Sequence, residues 1–267
     1  MLQGELSLFK NFFHYLLDEP STRELDINDP ITTSFRREII YNKKFLRKIY
    51  EEWYQLIQNS ILPGNNIVIE LGSGGGFFEK IYPDVISSDI LFCPYLKAIF
   101  DGLQLPFKNN SLDYLVLINV FHHLPDSNTF FQEATRCVKN GGKILLIEPW
   151  VSKFSKIIYK NFHHEFFDPD AESWNFESSG PLSGANGALP WIVFSRDKKI
   201  FLERYPEWII ENCTPIMPFR YLLSGGVSKR CLVPYWSYSF WKNLEKIFSS
   251  QFKSLSMFAM IVLSKTR

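Results

Sequence analysis

The stretch IVIELGSGGGFF, residues 67–78, decides the fold. An apolar run ends in an acid at Glu70 and breaks at once into Gly72, Gly74, Gly75 and Gly76. VIEL (68–71) has the apolar pattern of a buried strand. Glycine at such density serves where the backbone turns with positive φ, or where a ligand must touch bare N–H groups. FFEKIY (77–82) then reads as a brief helix ended by Pro83. Further out, VISSDI (85–90) is a second strand, a third edge lies near Ile99, and LDYLVLI (112–118) is a central strand. SNTFFQEATRCV (127–138) reads as a helix and KILLIEP (143–149) as another strand. Apolar strands alternating with helices predict an α/β fold with a mostly parallel sheet covered by helices on both faces.

Upstream, Leu6, Phe9, Phe13, Leu16 and Leu17 are spaced for a helix. Phe35, Ile39, Leu46, Ile49, Trp53 and Leu56 predict one long amphipathic helix stopping before Pro63-Gly64. Residues 1–60 are therefore expected to be an N-terminal helical extension, and 61–267 the main domain. After a helix at 152–162, residues 163–191 read as a long irregular loop; embedded Trp174, Phe176 and Trp191 argue that it is ordered. A strand at 207–216 precedes an aromatic helical insertion at 217–250, and 257–264 is the closing strand.

Lys and Arg (29) nearly balance Asp and Glu (28), which argues against a nucleic-acid partner. The 25 Phe, 12 Tyr and 7 Trp suit a bulky core and an apolar pocket. Cys93, Cys137, Cys213 and Cys231 form no CxxC pair and read as core fillers in a reducing compartment. The start has acids and no basic stretch before an apolar run, so no signal peptide is expected. No segment is apolar for long enough to cross a membrane, and a cytoplasmic location, with peripheral membrane contact open, is the expectation.

A dinucleotide fingerprint, GxGxxG, would need glycine where Phe77 stands, which weakens an NAD-dependent oxidoreductase. The spacing acid-x-Gly-x-Gly-x-Gly fits at Glu70, Gly72, Gly74 and Gly76 and resembles motif I of the class I S-adenosylmethionine-dependent methyltransferases. FDGLQLPF (100–107), NNSLDYLVLINVFHHL and ATRCVKNGGKILLIEP resemble the subgroup containing the ubiquinone/menaquinone C-methyltransferases, with Asn140 where proline is usual. The resemblance covers about residues 64–150 and implies a Rossmann-like sheet. It implies S-adenosylmethionine as cofactor, its methionine part wrapped by Gly72, Ser73, Gly74 and Gly76 and its ammonium held by Glu70. Asp89, at the open end of the second strand, would take the ribose hydroxyls beside Ile90. Asp101 would accept from the adenine amino group, Gly102 and Leu103 would present backbone to the ring, and Asn119 would line the pocket.

Methyl transfer from a sulfonium chiefly needs alignment and exclusion of water, with a base where the acceptor must lose a proton. His122 and His123 follow the central strand; adjacent residues point differently, so one is expected to face the site, and His123 is the candidate base. Glu148 is either a base or a cap. His163, His164, Glu165 and Asp168 read as polar loop residues, and no metal is expected. The acceptor is expected to be a small, hydrophobic or lipid-like molecule enclosed by the N-terminal helices, the 163–191 loop and the 217–250 segment. A non-catalytic cofactor-binding scaffold with the same fold is the alternative outside enzymes.

Overall fold

The computed structural model describes residues 18–19, 26–162, 165–180, 182–247 and 253–266. The helix expected at 6–17 lies outside them, as do His163 and His164. Seven strands form one sheet: β1 Val68–Leu71, β2 Ile86–Asp89, β3 Ala98–Ile99, β4 Leu112–Ile118, β5 Val138–Pro149, β6 Trp208–Ile216 and β7 Phe258–Lys265. Their order is β3-β2-β1-β4-β5-β7-β6. β1 through β5 pair in parallel, and β7 runs antiparallel to both neighbours, β5 and β6. The sheet order reverses beside β1, so the glycine turn opens at the switch point where ligands bind in such sheets.

The expected single helix before β1 is two, α1 Pro30–Asn42 and α2 Lys44–Asn59. Asp29 caps α1, its carboxylate accepting the Ile31 N–H at 2.8 Å, and Pro30 occupies the first turn. The break falls at Lys43, whose ψ of 83° leaves the helical region. α2 buries Phe45, Leu46, Ile49, Trp53, Tyr54 and Ile57 in the core. Among the described residues the other α-helices of five or more residues are α3 Ser127–Cys137, α4 Lys153–Phe162, α5 Lys198–Arg204, α6 Arg220–Ser224 and α7 Tyr238–Ile247. Of the cysteines expected to fill the core, Cys93 and Cys137 are buried, but Cys213 is half-buried and Cys231 exposed.

The described part of the 163–191 loop is irregular up to Leu189 and packed: Trp174 is buried and its Nε1–H donates to Asp197 at 2.8 Å. Between β6 and β7, the aromatic segment splits. Tyr238 is buried, whereas Trp236 is 82% exposed and Phe240 61%. One of its cations turns inward: Arg220 is buried and ion-paired with Glu245 at 2.6 Å and Glu52 at 2.8 Å.

Candidate functional site

The chain leaves β1 through Gly72 and Gly74, whose φ values are +64° and +50°. A Cβ on Gly72 would also lie 2.5 Å from Val120 Cγ2, so side chain and backbone both demand glycine. Gly75 answers a different need, because α1 rests on the loop: a Cβ there would lie 2.7 Å from the Arg37 backbone nitrogen. Phe77 is buried against Tyr41 and Tyr54, with ring centroids 5.1 and 5.0 Å away, where a dinucleotide loop would carry glycine.

Glu70 is buried and accepts the Ser73 hydroxyl at 2.7 Å. Burial pushes its carboxyl up to about 7, against the lowering effect of the Ser73 bond. Asp89 ends β2 and lines the cleft as expected, but its side chain is not left in open solvent. It is buried, and its two oxygens accept the Gly74 N–H at 2.9 Å and the Leu91 N–H at 3.0 Å, fastening the glycine loop to β2. Burial raises its pKa while these backbone bonds oppose the rise. Asp101 accepts the Leu103 N–H at 2.8 Å, which shapes the turn around Gly102. Asp89, Ile90, Asp101, Gly102 and Leu103 line a cleft of about 510 Å³, whereas Glu70 and Ser73 face the other side of the glycine loop.

A second, larger cavity of about 1010 Å³ lies across the glycine loop. Its walls come from α1 and α2, from the loop around Glu165 and Phe166, and from residues 221–232. Arg36, Gly72, Gly74, Gly75, Asn119 and His123 line both spaces. Asn119 holds this position with φ +56°, its N–H donating to Ile147 O at 2.9 Å. Arg36 was not singled out from the sequence. It lies on the exposed-looking spacing of α1, and the seating of α1 on the loop, at Gly75 and through Arg37 to Gly76 O and Glu79, turns it toward the junction.

The larger cavity has one strongly polar end. His122 and His123 occupy a 3-10 turn after β4, and both rings line the cavity, their centroids 4.2 Å apart. The expectation that one would face the site fails because Glu148 draws His122 inward. Glu148 Oε2 lies 2.6 Å from His122 Nδ1, while Oε1 accepts the Val120 and Phe121 N–H groups at 2.8 Å each. Glu148 is therefore a cap on the turn, buried and fully bonded. His123 Nδ1 lies 3.1 Å from Gly184 O. Glu165 reaches the same place from the irregular loop, with Oε2 3.3 Å from His122 Nε2 and Oε1 3.6 Å from His123 Nε2. Asp168, by contrast, only shapes its own loop, accepting the Asp170 N–H at 3.0 Å.

Residues 69–146 match the family described as methyltransferase domain. The chain is 25% identical over 133 residues to the tRNA (carboxymethyluridine(34)-5-O)-methyltransferase of Schizosaccharomyces pombe, covering 40% of this chain and 58% of that protein. It is 26% identical over 110 residues to the 2-methyl-6-phytyl-1,4-hydroquinone methyltransferase of Synechocystis, covering 36% of this chain and 34% of that protein. To the demethylmenaquinone methyltransferase of Oceanobacillus iheyensis it is 33% identical over 67 residues, 25% of this chain and 27% of that protein. The chain thus spans 27% to 58% of the length of these relatives. Its fold is similar to that of a methyltransferase from Thermotoga maritima, with a TM-score of 0.50 at 15% identity, covering 87% of this chain and 98% of that one.

Proposed function

We propose that the protein transfers a methyl group from S-adenosylmethionine to a small apolar acceptor, a reading supported by the match of residues 69–146 to the methyltransferase-domain family. The observation that carries this reading is the junction: the cleft beside Asp89 and Asp101 opens onto the 1010 Å³ cavity at Gly72, Asn119 and His123. A cofactor with its nucleoside in the cleft presents its sulfonium there, and an acceptor in the cavity meets it in line. Glu70 holds the ammonium and Arg36 the carboxylate of the methionine part. Asp89 takes the ribose, Asp101 the adenine amino group, and Ile90, Gly102 and Leu103 the ring. The polar end at His122, His123 and Glu165 holds the reacting end of the acceptor. The subgroup acting on quinones is favoured by the apolar cavity, and a nucleic-acid acceptor is disfavoured by the near-balance of charge. Incubation with labelled cofactor and a cell extract split into lipid, small-molecule, protein and RNA pools tests this. Label confined to the RNA or protein pool would refute an apolar acceptor.

Asp89→Ala should lower both cofactor affinity and thermal stability. The carboxylate's bonds to ribose are worth about 1.5–3 kcal/mol, tenfold to a hundredfold in affinity. Losing the acceptor of two backbone N–H groups also costs stability on the order of 2 kcal/mol. Calorimetric titration with S-adenosylhomocysteine and a melting curve read the two effects; unchanged affinity in the folded variant would leave Asp89 a purely structural tie.

A second reading, that the acceptor enters from a bilayer surface, is favoured by the cavity rim. Ile157, Phe162, Phe166 and Leu232 line the cavity and are 48% to 64% exposed. Trp236 and Phe240 are exposed on the same insertion that supplies part of the cavity wall. Trp236→Ala with Phe240→Ala should therefore reduce sedimentation with anionic vesicles severalfold while leaving cofactor binding intact. Equal sedimentation of both proteins would count against it. Among the described residues no helix is long and apolar enough to cross a membrane.

A further inference from the structure

We infer that His122, His123 and Glu165 form a binding site for one divalent transition-metal ion, at the polar end of the larger cavity. The three side chains bring one ligand atom each to within 4.8 Å of one another. Both imidazoles have their outer nitrogen committed. Glu148, whose other oxygen is occupied by two backbone N–H groups, accepts from His122 Nδ1–H at 2.6 Å. A carbonyl can only accept, so Gly184 O at 3.1 Å fixes the proton of His123 on Nδ1. Each ring is thereby turned so that Nε2 faces the Glu165 carboxylate. Backing by a carboxylate or a backbone carbonyl is how proteins orient metal-binding histidines.

The separations suit an ion. Two ligands about 2.1 Å from a tetrahedral centre stand about 3.4 Å apart, and Glu165 meets each ring with a different oxygen, Oε2 at 3.3 Å from His122 Nε2 and Oε1 at 3.6 Å from His123 Nε2. Charge suits it as well. Two carboxylates, Glu148 and Glu165, lie within 3.3 Å of the His122 ring nitrogens, and both favour a cation there. The lone pair of His123 Nε2 otherwise confronts a carboxylate oxygen, and an ion between them resolves that opposition. Two imidazoles and one carboxylate favour zinc, iron(II) or cobalt(II) over magnesium. Glu165 is held in place by its loop, since Asn186 N–H donates to His122 O at 2.9 Å and Gly187 N–H to Phe166 O at 3.0 Å.

Three protein ligands leave a position open toward the cavity. It takes an oxygen donor carried on an apolar body, which makes His123 a ligand rather than the general base expected from the sequence. This last step rests on the proposed function; metal uptake itself does not.

The full chain, dialysed against chelator, is titrated with Zn²⁺ and Co²⁺ by calorimetry and visible absorption. One equivalent is expected, with the spectrum of four-coordinate cobalt. Glu165→Gln should weaken uptake on the order of a hundredfold, and Glu148→Gln, through the orientation of His122, by about tenfold to a hundredfold. Circular dichroism and titration with S-adenosylhomocysteine establish that each variant is folded. Octanohydroxamate added to the cobalt-loaded protein should shift its spectrum. No stoichiometric uptake, or uptake indifferent to Glu165→Gln, would overturn the site; an unchanged spectrum with hydroxamate would overturn its open position. Failure to bind S-adenosylhomocysteine would strike the methyltransferase reading instead.

Discussion

Glu70→Gln should make the free protein more stable and its cofactor binding weaker. Burial raises the Glu70 carboxyl to about 7 from an ordinary value of 4.5. A carboxyl whose pKa is higher in the folded than in the unfolded state stabilises the fold only while it is protonated. Its contribution is complete below pH 4.5, declines as pH rises through about 7, and leaves a fixed penalty above that. The penalty amounts to roughly 3 kcal/mol at pH 8, and Gln removes it while still able to bond to Ser73. Denaturant melts of both proteins at pH 5 and pH 8 read the effect: the gap should be wide at pH 8 and nearly closed at pH 5. The cofactor responds in the opposite sense, because its ammonium needs the ionised carboxylate. Affinity of the wild-type protein should fall about tenfold per pH unit below 7, and Glu70→Gln should be about tenfold to a hundredfold weaker at pH 8. Equal stability of the two proteins at pH 8 would mean that Glu70 is not held against its preference.

Gly75→Ala should expel Arg36 from the junction without altering its side chain. The added Cβ would lie 2.7 Å from Arg37 N, 3.0 Å from Arg36 C and 3.1 Å from Arg37 Cα. All three are backbone atoms, so no rotamer change relieves the clash and α1 itself must move. Overpacking of this kind costs about 1–3 kcal/mol of stability. Cofactor affinity should fall by about tenfold or more, the worth of one charge-assisted pair. Arg36→Gln should produce the same loss of affinity, and the double variant little more than either alone, because both changes remove one interaction. Additive losses in calorimetric titrations would show that the helix and its arginine act separately.

The strands that build the cradle were legible by different signals: β1 is an apolar run carrying Glu70 near its end, and β2, interrupted by Ser87 and Ser88, is marked by its closing Asp89. The break at Lys43 was not, since the apolar spacing of α1 continues almost in phase into α2. β5 begins at Val138 rather than near residue 143 because KNGG, polar enough to read as a turn, extends the strand across an irregular register with β4. In the site, the acids and glycines announced themselves by spacing. Arg36 did not, because its role depends on where a helix lands. Nor did the meeting of His122, His123 and Glu165: it depends on a loop returning across the end of β4, and no local pattern records that. The buried partnership of Glu148 with the histidine turn was likewise invisible, although both lie in segments read correctly as strand ends.

The placement of β7 between β5 and β6 has a consequence for how the molecule is made. β6 precedes β7 in the chain yet reaches the sheet only through it. A ribosome delivering this chain therefore releases β1 to β5, and with them the nucleoside cleft, as a set of neighbours able to pair at once. β6 must wait, with the helices α6 and α7 trailing behind it, until the last eight-residue strand emerges. Arrival of β7 completes the sheet and draws together the two ends of the segment that walls the larger cavity. During synthesis the half that recognises the cofactor is thus ready before the half that encloses the acceptor, and the edge of β5 stays exposed in the interval, open to pairing with another chain.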